Sequence, residues 1–164
     1  MIQVPLFARD GTVRAVTVID DEDAPLAAAA YHWRLSHNGY ARRTLQGNGR
    51  QRAVFLHREI LGLVHGDVRE GDHVDGDRLN NRRSNLRVVT HAENQQNLPS
   101  RGGTSQSRGV FWYERDRQWR AQVQVNGRKH HLGQFPDEDE AGRVASECRL
   151  LLMPFTNEDR MIAA

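Results

Sequence analysis

A chain of 164 residues, 38% hydrophobic and with a mean hydropathy of −0.72, carries too little apolar material for one large core, so two small ones are expected. The single cysteine, Cys148, excludes a disulfide framework and a cysteine-rich zinc ribbon. No basic leader precedes an apolar run and no stretch of about 18 apolar residues occurs, so a soluble chain without signal peptide or membrane span is expected. Net charge is +2 but unevenly spread, with +1 over residues 1–97, +5 over 98–135 and −4 over 136–164.

In chain order, Ile2 to Ala8 and Thr12 to Ile19 alternate as strands do around Asp10-Gly11, a favoured hairpin turn. Asp20 to Asp23 then supply an acidic start for a short helix through Leu26–Tyr31. Asn38-Gly39 marks a second turn, with Trp33 and Tyr40 as core aromatics, and nothing in residues 1–50 reads as chemistry. Apolar residues at 56, 60, 61, 63 and 64 predict one short amphipathic helix over Leu56–Val64.

The next stretch is the informative one. Gly71-Asp72-His73-Val74-Asp75-Gly76-Asp77 ends in a turn, a polar loop runs from Arg78 to Asn85, and Leu86-Arg87-Val88-Val89 is strand-like. Thr90-His91-Ala92-Glu93 has the form of a capping box, so a helix carrying Asn94 begins there and runs to about Leu98. Pro99 and the Ser/Gly-rich stretch after it end the helix and read as a linker over 99–106.

Asp72-His73, Asn85-Leu86-Arg87 and Asn94, with His57-Arg58 upstream, resemble the HNH endonucleases of the phage and intron-homing kind over about residues 54–97. The resemblance implies a ββα-metal unit with a ligand-plus-base pair on the first strand, an asparagine in the loop and a last ligand on the helix. Asn94 replaces the final histidine of the founding pattern, as in some homing members. By this likeness Asp72 and Asn94 are the metal ligands, and hard oxygen donors suit Mg²⁺ or Mn²⁺. His73 is the general base that takes a proton from the attacking water. Asn85 orients the loop that holds His73, and Arg82, Arg83 and Arg87 are candidate phosphate contacts. Of the other histidines, His57 lies in an apolar context that favours packing, and His91 sits at the helix start.

Beyond the linker, Ser107–Tyr113, Gln118–Val125 and Arg128–Phe135 read as three strands, the last two joined by Asn126-Gly127. Asp137 to Glu140 fits another capping box. Ala141, Val144, Ala145, Cys148, Leu151 and Leu152 then recur at helical spacing, so a helix of about 15 residues lays one face on the sheet, with Cys148 in the core. Arg108-Gly109-Val110, Trp119-Arg120-Ala121, Leu132-Gly133-Gln134-Phe135 and Glu140-Ala141 resemble the plant ethylene-response-factor (Apetala-two) DNA-binding domain over about residues 107–157. That resemblance implies DNA contacts from Arg108, Gln122, Gln124, Arg128, Lys129 and His131 and a core position for Trp119. Phe111 and Tyr113 stand where the plant proteins have arginines.

The expectation is therefore an α+β protein: N-terminal strands with a ββα-metal HNH unit over 1–98, a linker over 99–106, and a three-stranded antiparallel sheet packed on one helix over 107–157. Its expected activity is divalent-metal-dependent hydrolysis of double-stranded DNA, with nicking implied by one active site per chain. A monomer or weak dimer in the cytoplasm of a bacterial or phage-infected cell completes the picture. A DNA-binding protein with a silent nuclease site is the alternative, and the joint presence of Asp72, His73 and Asn94 argues against it.

Overall fold

A computed structural model describes residues 1–47, 49–97 and 104–156. The chain forms two compact units, Met1–Thr90 and His91–Ala164, and mixed α+β content follows the expectation from sequence.

In the first unit, β1 (Ile2–Phe7) and β2 (Val13–Ile19) form the antiparallel hairpin that Asp10-Gly11 implies. Gly11 takes a positive φ of 86°, and the Asp10 carboxylate accepts from the Thr12 amide (3.0 Å) and hydroxyl (2.7 Å). β3 (Arg34–Leu35), β4 (Ala41–Gly47) and β5 (Arg50–Phe55) complete a five-stranded sheet of order β2-β1-β3-β4-β5. Val4, Leu6, Ile19, Trp33, Ala41, Leu56, Ile60 and Leu86 form its core.

Two sequence expectations change here. The segment after β2 is not an α-helix but two 3₁₀ turns, Asp21–Ala27 and Ala29–Tyr31, the first containing Pro25. Its acidic residues open the first of these and also hold a distant loop, as described below. The helix expected over Leu56–Val64 is only α1 (Leu56–Ile60), because Gly62 turns into the left-handed region at φ 68° and leaves Val64 exposed.

β6 (Glu70–His73) and β7 (Leu86–Val89) pair antiparallel, with Asp72 opposite Arg87 and His73 opposite Leu86. The connecting loop docks on the free edge of β2. Val18 donates its amide to Leu79 O and accepts at its carbonyl from the Asn81 amide, both at 2.9 Å, which makes a parallel bridge from Val18 to Asn80.

In the second unit, α2 (His91–Asn94) runs into a 3₁₀ turn at Gln95–Asn97. Residues 99–103 of the expected 99–106 linker, with Leu98 before them, lie outside the described residues. β8 (Val110–Tyr113), β9 (Gln118–Val125) and β10 (Arg128–Phe135) form an antiparallel sheet with β9 central, followed by α3 (Glu138–Leu152). Asn126 and Gly127 both have positive φ, 49° and 78°, the requirement of the tight hairpin their sequence signals. Asp137 caps α3 by accepting from the Glu140 amide at 2.9 Å.

Val110, Ala121, Ala141 and Ala145 form the second core, with Trp119, Leu132 and Phe135 packed against it. Gly109 is obligatory: at φ 82°, an added Cβ would lie 2.3 Å from the Gln122 carbonyl oxygen. The helical spacing overstates the buried face of α3. Leu151 is 83% exposed and Cys148 half-buried, whereas Arg149 is buried and donates to the Arg108 carbonyl.

Candidate active site

Strand alternation separates the two key side chains of β6. Asp72 and His73 are adjacent and must leave the strand on opposite sides, so one can meet β7 while the other meets the loop. Arg87, directly across the ladder, holds Asp72 Oδ2 with Nε at 2.8 Å and Nη2 at 2.6 Å. His73 turns instead to Asn81, with Nε2 3.1 Å from Oδ1.

The Asn81 amide has one permitted orientation. The Thr17 hydroxyl gives its only proton to Leu79 O at 2.7 Å, so toward Asn81 it can only accept, at 2.7 Å from Nδ2. Arg78 O, another acceptor, lies 3.4 Å from the same nitrogen. Oδ1 therefore faces His73, and the His73 Nε2 must carry the hydrogen. In the neutral imidazole Nδ1 is then the basic atom. Asn81 and Thr17 are almost fully buried, at 1% and 0% exposure, so water cannot relax this arrangement.

Asn85 ties the loop together. Its Nδ2 donates to Asp75 Oδ1 and Asn80 O, both at 2.8 Å, and its Oδ1 accepts from the Asp75 amide at 3.0 Å. The Asp75 carboxylate also accepts from Asn80 Nδ2 and the Asp77 amide. Partial burial works against its charge, but these bonds hold its pKa below the usual carboxylate range. The result is a loop fixed by its own side chains immediately after His73.

Of the candidate phosphate contacts, Arg83 is paired with the buried Asp23 (2.7 Å) and Arg82 with Asp20 (3.0 Å), while Asp20 also accepts from the Arg83 amide. The acidic stretch after β2 thus clamps the loop as well as opening the Asp21–Ala27 3₁₀ helix.

Residues 1–50, silent by sequence, supply Thr17 and also Tyr40, whose ring centroid lies 5.8 Å from that of His73 and 5.2 Å from that of His57. The signal in sequence was thin: Thr17 is one polar residue on the inward face of a strand, and its partner Asn81 is one of two adjacent asparagines. Only the docking of residues 79–81 on β2 makes them one network.

His57 meets His73 edge to face at 5.1 Å. The close approach needs Gly71, since a Cβ there would sit 2.7 Å from His57 Cδ2. Burial, then the neighbouring His73 and Arg58, push the His57 pKa down to about 3, and burial lowers that of His73, partly opposed by the Asn81 bond. Both imidazoles are neutral at neutral pH.

This sets a pH dependence of stability. Between the ordinary pKa of 6.5 and about 3, the unfolded chain binds a proton at His57 that the folded chain refuses, so stability is lost as pH falls below about 6.5. The expected slope is about 1.4 kcal/mol per pH unit for this one proton. Urea unfolding of His57→Phe at pH 7, 5.5 and 4.5 should show a flatter fall than wild type, and parallel curves would contradict the assignment.

Asn94, the last residue of α2, is half-buried and belongs to the second unit. On the sheet of that unit, the register places Gln122 opposite His131 and Gln124 opposite Lys129. These four share the face opposite buried Ala121 and Val123, hence the face turned away from the core. Phe111, Tyr113 and Arg120 share it too, with the Arg120 guanidinium 3.3 Å from the Tyr113 ring centroid, a combination that sequence reasoning passed over. Arg108 and Arg128 are not part of it. Arg108 donates to the carbonyls of Gln96 (2.8 Å) and Gln95 (3.3 Å), a fastening of the fold, and Arg128 falls on the alternate parity of β10.

Residues 54–96 match the HNH endonuclease family model. The chain is 30% identical over 114 residues to an uncharacterized HNH endonuclease of Acanthamoeba polyphaga mimivirus, covering 70% of this chain and 58% of that protein. It is 30% identical to Protein 3.8 of Escherichia phage T7, over 49% of this chain and 70% of that one. It is 40% identical to the H-N-H endonuclease F-TflI of Escherichia phage T5, over 43% and 40% respectively. The chain thus spans little more than half of the mimivirus relative and less than half of the T5 one. No solved structure matches it. The matched residues include His57, β6, the Asn81 loop, β7 and Asn94, and this part of the chain is an HNH endonuclease domain.

Proposed function

We propose that the protein is a divalent-metal-dependent endonuclease that nicks double-stranded DNA, with His73 as general base. The observation that carries the reading is the fixed orientation of His73: a neutral imidazole whose Nε2 hydrogen is held by Asn81, leaving Nδ1 as the proton acceptor.

The donor set suits a hard cation. Among the described residues no three His, Cys, Asp or Glu side chains gather as a closed zinc site would require. The HNH likeness assigns the metal to the Asp72 carboxylate and the Asn94 amide oxygen, and hard oxygen donors of this kind suit Mg²⁺ or Mn²⁺. When bound, such a cation would supply positive charge against the phosphate and the leaving 3′ oxygen. The chain's own residues do the rest. His73 accepts the proton of the attacking water, Asn81 and Thr17 keep the correct nitrogen presented, and Asn85 fixes the loop that follows His73. Arg87 compensates the Asp72 charge. For Arg82, Arg83 or Arg87 to bind phosphate, each must exchange its present carboxylate.

The second unit is read as an ethylene-response-factor-like DNA-binding module, supported by the outer sheet face that carries half-buried Gln122 with exposed Gln124, Lys129 and His131. A tethered second contact raises the affinity of a small nuclease. Action on DNA in a cytoplasmic or phage-infected setting fits the phage relatives.

The deciding experiment is incubation of supercoiled plasmid with the full chain in Mg²⁺ or Mn²⁺. Conversion to the open circle is expected, and an intact plasmid under both metals would overturn the reading. Asn81→Leu then tests the carrying observation. It removes the Nε2 acceptor while keeping the volume, and the nicking rate should fall by on the order of 10- to 10²-fold as the imidazole loses its fixed tautomer. An Asn81→Leu protein that folds and nicks at the wild-type rate would remove the network from the mechanism.

A further inference from the structure

The near-neutral charge of the first unit conceals a segregation. Between Asp23 and Glu59 the sequence contains no acidic residue but six arginines. Two of these are structural: Arg43 pairs with Glu59 at 2.6 Å, and Arg58 donates to backbone carbonyls. The other four, Arg34, Arg42, Arg50 and Arg52, are exposed, and their guanidinium groups meet no carboxylate among the described residues.

Three of the four lie on β4 and β5, an antiparallel pair at the edge of the sheet. Its register runs from Arg42 opposite Phe55 to Gly47 opposite Arg50. Arg42, Thr44 and Gln46 therefore share one face with Gln51 and Ala53, while Arg50 and Arg52 share the other with Leu45. A strand pair serving only as a sheet edge has one buried and one wet face. Here Thr44, Gln46, Gly47 and the run from Arg50 to Ala53 are all exposed, so the distal half of the ribbon is wet on both sides. Exposed arginines on both faces, with two amides on one of them and no carboxylate partner among the described residues, have no packing purpose.

We infer that this β4–β5 ribbon is a second DNA-contacting element, which enters a groove of duplex DNA and sets its arginines against the phosphates of both walls. The inference rests on the proposed duplex-DNA substrate and is separate from the C-terminal sheet. The dimensions agree. A two-stranded ribbon fits the major groove of B-DNA, about 12 Å wide, and five residues per strand extend about 17 Å. Arginine on each face reaches either phosphate backbone, while Gln46 and Gln51, cross-strand neighbours, carry the donor and acceptor pair that can meet base edges. The deep, narrow major groove of A-form RNA admits no such ribbon.

The test is binding of the full chain to a fluorescent duplex of about 30 base pairs, in EDTA so that no cleavage intervenes, across a range of salt. Arg42→Gln/Arg50→Gln/Arg52→Gln should lower the salt slope by about 2 to 3 and weaken binding on the order of 10²-fold near 0.1 M salt. Gln51→Arg, a gain variant that does not depend on losing anything, should raise the slope by about 1. A control away from the ribbon, Arg9→Gln/Arg14→Gln, which removes two exposed charges, should keep the wild-type slope. An unchanged slope in the triple variant, an equal loss in the control, tighter binding of wild type to duplex RNA, or no binding of wild type to DNA would each overturn the inference. Plasmid nicking is scored separately. A wild type that binds as described but never nicks defeats the nuclease reading and leaves the ribbon standing, and a wild type that nicks with an unaltered triple variant does the reverse.

Discussion

His73→Ala should reduce the single-turnover nicking rate by on the order of 10²- to 10⁴-fold, the range a positioned general base contributes. Duplex affinity should stay close to wild type, because His73 is 4% exposed and its Nε2 is committed to Asn81 rather than offered to a ligand. The separation of rate from binding is the informative part. A residue that merely packed beside His57 and Tyr40 would change stability and move both quantities together. Melting temperature measured alongside will show the packing loss directly, and a folded His73→Ala protein that nicks at the wild-type rate would assign the base elsewhere.

Removal of the cation should be as damaging. In EDTA the nicking rate is expected to fall by at least about 10³-fold, since charge compensation at the phosphate is worth several kcal/mol. Asp72→Ala should do the same in excess Mg²⁺. That substitution also strands the half-buried Arg87, whose guanidinium now rests 2.6 Å from the carboxylate, so a stability loss of about 1–3 kcal/mol should accompany it. The double variant Asp72→Ala/Arg87→Met should recover stability without recovering activity. Full activity in EDTA, or recovery of nicking in the double variant, would remove Asp72 and the cation from the chemistry.

What the sequence determined by itself is whatever depends on neighbours along the chain. The Asp10-Gly11 and Asn126-Gly127 hairpins, the Asp137 cap and the three strands before α3 all follow from local backbone preference and short-range hydrogen bonds, and residue type and spacing alone carried the HNH pattern from Asp72 to Asn94. What only tertiary structure decided is which distant residues complete the site. Asp20 and Asp23 look like a helix start because acids favour helix N-termini, and a 3₁₀ helix does begin there, yet ion pairs of Asp20 to Arg82 and Asp23 to Arg83, some sixty residues on, give them a second use. Thr17 is one more alternating residue in a strand until β2 takes the loop of Asn81 on its edge. Then the single hydroxyl proton of Thr17 determines an amide orientation, and the amide determines which nitrogen of His73 carries the hydrogen. The arginines of β4 and β5 are visible in sequence as residues, but pairing register alone distributes them over both faces of one ribbon. A strand's period of two says which side chains share a face, and only the partner strand and the absence of a core beneath it say what that face is free to meet.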